Sequence, residues 1–498
     1  MNWDPGLLLL ILASSLVPGL MIFFLPEERV VIRSSLNLAG GLLKLVLVGV
    51  MLWGVFHGHH YEIRLPLLPG LDLLLRADAE SLLFVTLSAG LWLVTTVYAI
   101  GYLEGSPHRS RFFGFFSLCV TATIGVALAG NLLTFLLFYE LLTLATYPLI
   151  VHRGTEVARQ AGQTYLRYTI AGGALLLVGT VWLYGLAGTL EFTHGGFVAE
   201  LVDTHRGALI VIFVLLIAGL GVKAALVPLH GWLPRAMVAP APVSALLHAV
   251  AVVKAGAFGF VRVVDDVYGA GSAAHLGVMG PLAVLAAVTI IYGSLRALFQ
   301  DDLKRRLAFS TVSQVSYIIL GIAVAGPIAT IGGLVHLVHQ GVMKITLFFC
   351  AGNLAETLGI HKISEMNGVG RRMPWTMAAF TIGALGMIGV PPLAGFISKW
   401  YLGLGALEAG QDWVIIILAG SSLLNAGYFL PVLYAAWFKP PPDSWPAERS
   451  YGGRETAWAL LAPPVVTALL TVLMGLLASA PFSPLQWARF ITTQEYAP

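Results

Sequence analysis

Charged residues are scarce in this sequence, and their scarcity indicates whether the protein is soluble or membrane-embedded. Only 11% of the 498 residues are Asp, Glu, Lys or Arg, whereas 58% are hydrophobic. Soluble domains carry about 25% charged residues, so the composition excludes a soluble globular protein. We expect an all-α integral membrane protein that crosses the bilayer many times.

Cysteine is almost absent as well, which limits the cofactors that the chain can hold. Its two cysteines, Cys119 and Cys350, both lie in apolar runs, and the sequence contains no CxxC pair. An iron–sulfur cluster usually takes four thiolates, so we expect two buried free thiols and no cofactor. Basic residues do not alternate with aromatic residues outside the apolar runs, so nothing supports nucleic-acid binding.

Long apolar runs are what the sequence has in abundance, and they predict about 14 transmembrane helices. The approximate cores of these helices are 5–25, 31–56, 79–103, 112–129, 131–151, 163–187, 207–229, 241–262, 277–298, 306–325, 327–355, 374–403, 412–438 and 457–480. The first run lacks a preceding basic segment, so we expect a retained span rather than a cleaved signal. Lys and Arg concentrate in alternate connecting segments, and the positive-inside rule then places both termini on the outer face.

Two of the predicted spans are interrupted. The seventh carries Pro228 shortly after Lys223, and the twelfth carries Pro391 and Pro392 shortly before Lys399. Proline removes a main-chain donor and kinks or breaks a helix, and broken backbone at membrane depth is tolerated only inside protein or beside a wet cavity. Paired interruptions are typical of inverted repeats around an ion path. We therefore expect discontinuous helices 7 and 12 in two inverted five-helix repeats.

This interpretation divides the chain into four segments. They are 1–105 with helices 1–3, 106–265 with the first repeat (helices 4–8), 266–440 with the second repeat (helices 9–13), and 441–498 with helix 14 and the tail. Residue identity between the two repeats is weak, so the division depends on the paired interruptions.

Four formal charges lie deep inside the apolar runs, at Glu140, Lys223, Lys254 and Lys399. A charge near the bilayer centre costs roughly 2.5–3.5 kcal/mol on insertion scales, and such residues usually face protein or a water-filled path. Glu140 and Lys223 belong to predicted helices 5 and 7, where opposite charges would reduce each other's burial cost. They form either a static ion pair or a switch that passes a proton on when the pair opens.

The eighth and eleventh predicted helices add histidines to these charges. His248 and Lys254 are six residues apart, so an ideal helix directs them about 120° apart. They share one path only if the helix is distorted or the side chains reach round. His336, His339 and Lys344 fall within a face of about 140° on the eleventh helix. These histidines either pack or relay protons; two of them could ligate a metal, but with no carboxylate or thiolate nearby we expect none.

Four further features have an ordinary interpretation. Lys399 either snorkels to the interface or stays buried near an exit. The segment 300–306 is predicted to be a solvated turn. His57, His59 and His60 either capture a metal ion or form a wetted outer loop, and we expect the loop. Polar residues of the tenth helix either hold water or hydrogen-bond between helices; they are Ser310, Thr311, Ser313, Gln314, Ser316 and Tyr317.

Four segments carry a resemblance to a known family. They are FYELLTLATYPLIVHRG, GVKAALVPLHGWLPRAMVAPAPVSALLHAV, DDLKRRLAFSTVSQVSYIILG and RRMPWTMAAFTIGALGMIGVPPLAGFISKW. In this order they resemble the antiporter-like proton channels shared by respiratory complex I, energy-converting hydrogenases and Mrp-type cation/proton antiporters, over roughly residues 75–440. The chain is most similar to the D-type subunit of the Mrp antiporters in length and number of spans. It has no room for the extra helices of the largest complex I member.

The resemblance implies roles for the buried charges. Glu140 and Lys223 would be the coupling pair, Lys254 and His248 the central relay, and Lys399 the outlet. His248 is more like the largest complex I member, whereas Lys254 suits the Mrp type, so the kind of complex stays open.

Residues and resemblance together predict a proton-translocating subunit of a multisubunit monovalent cation (Na⁺)/H⁺ antiporter in a bacterial or archaeal cytoplasmic membrane. The expected proton path is Glu140, Lys223, His248, Lys254, His336, His339, Lys344 and Lys399. The expected partners are other membrane subunits, protons, Na⁺ and the lipid bilayer; the chain itself shows no catalytic chemistry. The alternatives are a pumping subunit of a redox complex (NADH-quinone oxidoreductase or membrane-bound hydrogenase type), a subunit of an inorganic-carbon uptake complex, or an inert scaffold.

Overall fold

The architecture is a bundle of long membrane helices. The computed structural model describes residues 4–68 and 70–496. In chain order its spans are α1 (Asp4–Phe23), α2 (Val30–Phe56), α3 (Ala79–Tyr102), α4 (Arg109–Ala127), α5 (Leu132–Ile150), α6 (Glu156–Ala187), α7 (Arg206–Lys223), α8 (Ala241–Tyr268), α9 (Met279–Leu298), α10 (Leu303–Ala323), α11 (Pro327–Leu358), α12a (Pro374–Ile388), α12b (Ala394–Glu408), α13 (Trp413–Phe438) and α14 (Trp458–Leu476).

The helices confirm the fourteen predicted spans. Thirteen helices of the described residues are long and apolar enough to cross a membrane, and the divided α12 is the remaining span. The side of the membrane on which the two termini lie stays a prediction.

Helices 7 and 12 are interrupted, as the prolines predict. α7 ends at Lys223, and Ala225 then takes a left-handed conformation with φ 58°. Proline disfavours the helical conformation in the residue before it and clashes with the preceding turn, which agrees with the end of the helix before Pro228. In the twelfth span, Pro391 and Pro392 lie in the gap between α12a and α12b. The division of the chain into the four predicted segments stays a prediction.

Three helices form the centre of the bundle. Along its most apolar 18-residue stretch, each of α8, α10 and α11 is wholly buried by the rest of the protein, whereas only a third of the corresponding stretch is buried in α2, α6, α13 and α14. α11 packs on α10, α12b and α14, and α10 packs on α9. Polar side chains on the three central helices are therefore surrounded by protein.

Two elements near one end of the bundle are absent from the sequence prediction. Strands β1 (Tyr61–Leu68) and β2 (Leu71–Ala77) form an antiparallel hairpin in which Tyr61 pairs with Ala77. A last helix, α15 (Pro484–Glu495), begins after Ser483, whose hydroxyl accepts a hydrogen bond from the Gln486 amide. Indole Nε1 of Trp487 donates to the Ala79 carbonyl at 2.7 Å, so α15 is fixed to the start of α3 beside the hairpin.

Candidate functional site

Glu140 and Lys223 are close enough to interact electrostatically, but they do not touch. Lys223 ends α7 and is fully buried; its Nζ donates to the Tyr139 carbonyl and lies 3.3 Å from the centre of the Tyr139 ring. The Glu140 carboxylate turns instead towards α6, where it occupies the space left by the missing side chain of Gly173. Among the described residues no ion pair within 4.0 Å joins the two charges. The static ion pair that the sequence allowed is therefore not formed here.

Glu140 lies at the surface of this chain rather than in its core. It is half-buried, and its neighbours on α5 include Leu137, Leu141 and Leu144, which are 42%, 38% and 64% exposed. A carboxylate among exposed leucines at membrane depth would be costly to leave in lipid. This face of α5 therefore needs a cover other than lipid.

α8 is distorted between His248 and Lys254, which is what a shared path requires. A π-helical turn covers Leu246–Val250, and Ala251 breaks the helix with φ −114° and ψ −91°. The two side chains still do not meet. His248 stacks on Phe348 with ring centres 4.5 Å apart, whereas Lys254 Nζ donates to the Leu337 carbonyl at 2.7 Å.

The side chains of α11 connect these two residues with α12. The charge of Lys344 acts on both His248 and Lys254, and its Nζ donates to Ser310 Oγ at 2.8 Å. His336 is in range of the charges of Lys254 and Lys399. The structure thus brings together the predicted members of α8, α11 and α12, with Lys344 and His336 as the linking residues.

Ser398 and Tyr317 join His336 to the broken helix. His336 Nδ1 is 2.8 Å from Ser398 Oγ on α12b. The Tyr317 ring centre lies 5.2 Å from the His336 ring and 5.4 Å from Lys399 Nζ. His339 approaches the main chain at Ala394, the first residue of α12b.

Several buried polar groups on the central helices have no protein partner. In the described part of the chain, neither ring nitrogen of His248 and neither amide atom of Gln314 or Gln340 makes a hydrogen bond. An unpaired buried polar group costs about 1–3 kcal/mol, and buried water normally satisfies such groups. These three side chains thus place unpaired polar atoms on each of α8, α10 and α11.

Lys399 does not snorkel towards the interface. Its Nζ donates to the carbonyls of Met387 (3.0 Å) and Ile388 (2.8 Å) and to Ser422 Oγ (2.9 Å). The last carbonyls of a helix have no partner within the helix, so Lys399 caps the end of α12a. Gly389, with φ 96°, allows the chain to turn there.

The segment 300–306 is not the solvated turn that the sequence predicts. Asp302 caps α10, and the guanidinium of Arg306 is buried and donates to the carbonyls of Gln300 and Tyr428. Lys304 Nζ donates to the Ala239 carbonyl at 2.6 Å. Lys304, Arg305 and Arg306 lie in the first turn of α10, where a run of charges looks solvated in the sequence. In the structure Lys304 and Arg306 of this turn face the bundle.

A cavity of about 330 Å³ opens beside Lys304. Its walls include Tyr102, Arg153, Asp302 and His361. The charge of Lys304 also acts on His248.

Sequence reasoning missed another buried lysine and a buried group of acids. Lys44 on α2 is fully buried, and its Nζ donates to the Ile11 carbonyl and Ser15 Oγ. The rule that selected Lys223 would also have found it, because it lies within an apolar run. Arg262 and its acidic neighbours Asp265 and Asp266 were missed because a cluster near the end of a run resembles a solvated boundary.

Comparisons with known proteins identify the family to which the chain is similar. Residues 129–425 match the family model described as "NADH:quinone oxidoreductase/Mrp antiporter, TM". The chain is 38% identical over 426 residues to the N-type subunit of the NADH-quinone oxidoreductase of Desulforudis audaxviator, an alignment that covers 82% of each chain. It is 30% identical over 407 residues to the D-type subunit of the Na(+)/H(+) antiporter of Bacillus subtilis, covering 81% of this chain and 80% of that one.

A solved structure shares the fold. A chain of the Mrp complex from Dietzia sp. DQ12-45-1b superposes with a TM-score of 0.89 at 24% identity, covering all of this chain and 98% of the other. The oxidoreductase relative has the higher identity and the antiporter relative the lower, so names alone do not separate the two kinds of complex.

Proposed function

Because the chain belongs to the NADH:quinone oxidoreductase/Mrp antiporter transmembrane family, we propose that it translocates protons as a subunit of a multisubunit monovalent cation (Na⁺)/H⁺ antiporter. One observation carries this proposal: a series of buried titratable side chains crosses the three helices that are wholly enclosed by protein. An inert scaffold would have no use for charges that cost free energy to bury.

The proton path begins at the cavity beside Lys304. From there a proton reaches His248, whose ring nitrogens are free to accept it, and then Lys344 and Lys254. His336 passes it, through Ser398 and past Tyr317, to Lys399 at the break of α12. Each step joins groups that already interact, so no large movement of a helix is needed.

Glu140 and Lys223 act as the switch that drives this path. Lys223 is held by the Tyr139 carbonyl, one residue from Glu140. A small rotation of the lysine side chain would exchange the neutral carbonyl for the carboxylate. Closing and opening this pair changes the charge near the path, and a pKa change of one unit corresponds to about 1.4 kcal/mol.

A neighbouring membrane subunit covers Glu140. Its exposed leucine neighbours favour a helix packed on this face of α5, because lipid alone would leave the carboxylate without a polar partner. The chain would thus work inside a complex in a bacterial or archaeal cytoplasmic membrane. With the basic cavity at Arg153 and Lys304 facing the cytoplasm, both termini lie outside.

A pumping subunit of a redox complex is the second candidate. The observation that favours it is the 38% identity to a protein named as an NADH-quinone oxidoreductase subunit. Purifying the chain with its native partners separates the two candidates. Partners that hold flavin or iron–sulfur clusters would favour the redox complex, and small membrane subunits without redox groups would favour the antiporter.

The proposal is tested by Lys223→Ala and Glu140→Ala in the assembled complex, with the exposed Lys439→Ala as the matched control. Everted membrane vesicles that contain the complex should show Na⁺-dependent proton movement with the native chain and with Lys439→Ala. Both Lys223→Ala and Glu140→Ala should abolish it while the subunits still copurify. Unchanged proton movement in an assembled Lys223→Ala complex would overturn the proposed path.

A further inference from the structure

A second group of buried charges lies at the hairpin end of α8, away from the proposed path. Arg262 is only 2% exposed and donates to Asp78 at 2.8 and 2.9 Å and to Asp266 at 2.8 Å. Its Nη1 also pairs with Glu80 Oε2 at 2.9 Å. One guanidinium thus holds together carboxylates from α8, from the start of α3 and from the residue before α3.

The acids outnumber the cations in this cluster. Asp265 adds a further carboxylate from α8, and Glu495 adds one from α15. Asp265 is 4% exposed, and so is the side chain of Glu495. Within the part of the chain that the structure describes, Asp265 Oδ2 and Glu495 Oε2 have no hydrogen-bond partner. Burying uncompensated carboxylates is costly, so the cluster lacks positive charge.

His194 completes a set of ligand atoms at the edge of this cluster. It lies in the loop after α6, and its Nδ1 bonds to Glu495 Oε1. One ligand atom each from His194, Asp266 and Glu495 lie within 4.8 Å of one another. The set joins three separate parts of the chain: the loop after α6, the end of α8 and the last turn of α15.

We propose that His194, Asp266 and Glu495 bind a divalent transition-metal ion of the zinc class. One imidazole with two carboxylates is a donor set that suits Zn²⁺, with a water molecule as the usual fourth ligand. An imidazole ligand favours a transition metal over Na⁺, Ca²⁺ or Mg²⁺, which prefer oxygen ligands only. The unpaired oxygens of Glu495 and Asp265 are where the positive charge of the ion is needed.

The ion has a route to this site from solvent. A cavity of about 370 Å³ is lined by His194 and by His59, His60, Glu62 and Gln494. The His194 side chain is 58% exposed, whereas the carboxylate of Glu495 behind it is enclosed. His59 and His60, which the sequence analysis assigned to a wetted loop, are thus placed along the entrance.

Metal binding would cross-link α15 to the membrane bundle. The ion replaces the proton shared by His194 and Glu495, and deprotonation of the ligands is the usual accompaniment of metal binding. The C-terminal helix would then be fixed to α8 at Asp266 as well as to α3 through Trp487. The site does not depend on the proposed proton path, because it shares no residue with it.

The test uses the complete complex, stripped with a chelator and then dialysed against Zn²⁺ alone. The native chain and His205→Ala, an exposed histidine of the same connecting segment, should retain one Zn²⁺ per chain. His194→Ala and Glu495→Gln should bind at least about tenfold more weakly. His194 is exposed, so its replacement leaves the fold intact even if Glu495→Gln loosens α15.

X-ray absorption at the zinc edge identifies the ligands. One nitrogen and two or more oxygen neighbours in the native complex, with the nitrogen lost in His194→Ala, support the proposal. Retention of Zn²⁺ by His194→Ala equal to that of the native chain, or no retention by the native chain, overturns it.

Discussion

At the scale of the residue, five of the buried and half-buried lysines share one kind of partner. The Nζ atoms donate to main-chain carbonyls, in the pairs Lys44 with Ile11 (2.6 Å), Lys254 with Leu337 (2.7 Å), Lys304 with Ala239 (2.6 Å), Lys399 with Ile388 (2.8 Å), and Lys223 with Tyr139. A carbonyl accepts from a charged or a neutral amine alike. Loss of a proton therefore leaves no carboxylate without its counter-charge, and these lysines can change charge at small structural cost.

Arg262, unlike these lysines, is bonded to carboxylates. A pair of variants, at Lys254 and at Arg262, compares the two kinds of buried cation. Lys254→Met removes a buried ammonium and orphans no carboxylate, so the complex should assemble with an unchanged or higher melting temperature and without proton transport. Arg262→Met leaves several buried carboxylates unpaired and should destabilise the folded chain by about 3–5 kcal/mol. Thermal unfolding of the purified complexes, with proton uptake in vesicles, measures both effects. Equal destabilisation by the two variants would mean that Lys254 has a charged partner.

At the scale of the element, the sequence predicts the helices better than it predicts their side-chain contacts. Apolar runs and prolines are sufficient to place the fourteen spans and both interruptions, because the bilayer requires long apolar segments. The hairpin of β1 and β2 was not predicted, because short strands of mixed polarity give a weak signal in the sequence. The spacing of His248 and Lys254 left open whether α8 is distorted or the side chains reach round, and no single residue type indicates a π turn.

Direction of side chains is the part of the site that the sequence could not supply. Glu140 turns towards Gly173, and Lys304 turns into the bundle. Both directions depend on which helices pack on α5 and α10, which is a property of tertiary packing. Charges in the middle of apolar runs were predictable as buried, whereas charges near the ends of runs and the partners of all of them were not.

The break of α12 gives a prediction at this scale through Gly389. Its φ of 96° is strained for any other residue, and a Cβ atom there would lie 2.9 Å from Lys399 Cδ. Gly389→Ala should therefore cost about 1–3 kcal/mol of stability and displace Lys399 from the end of α12a. Proton transport in vesicles should fall, whereas Gly420→Ala on α13, where a Cβ meets open space, should change neither quantity. Full transport in Gly389→Ala would show that the position of Lys399 is unimportant.

At the scale of the whole molecule, opposite ends of the bundle have opposite charge. The cavity at Lys304 and Arg153 lies at the start of α8, and the acidic cluster around Arg262 lies at its other end. The 28 residues of α8 span about 40 Å at 1.5 Å per residue. The basic end makes the stability of the protein depend on pH.

His152, which follows α5 at the basic end, makes the stability of the folded protein depend on pH. Burial, with the charges of Arg111, His108 and Arg153, lowers its pKa from 6.5 to about 4. The unfolded chain therefore binds this proton at a higher pH than the folded protein does. Its contribution to stability is complete above about pH 6.5 and is lost as the pH falls towards about 4.

His152→Phe should make the melting temperature of the complex less sensitive to acid over this range. The new ring keeps the edge-to-face contact with Phe112, whose ring centre lies 5.1 Å from that of His152, and it takes up no proton. Melting curves across the range, with the exposed His275→Phe as the control, measure the difference. Parallel curves for native and His152→Phe complexes would contradict this origin of the acid sensitivity.

Because α8, α10 and α11 are enclosed by the rest of the protein, protein groups and not lipid set the dielectric environment of their side chains. The medium around Lys254 consists of side chains, main-chain dipoles and the few waters they admit, and lipid never reaches it. Hydrocarbon thickness and headgroup charge act on the outer helices and stop there. Charge transfer along the central helices should therefore have similar energetics in thick and thin bilayers.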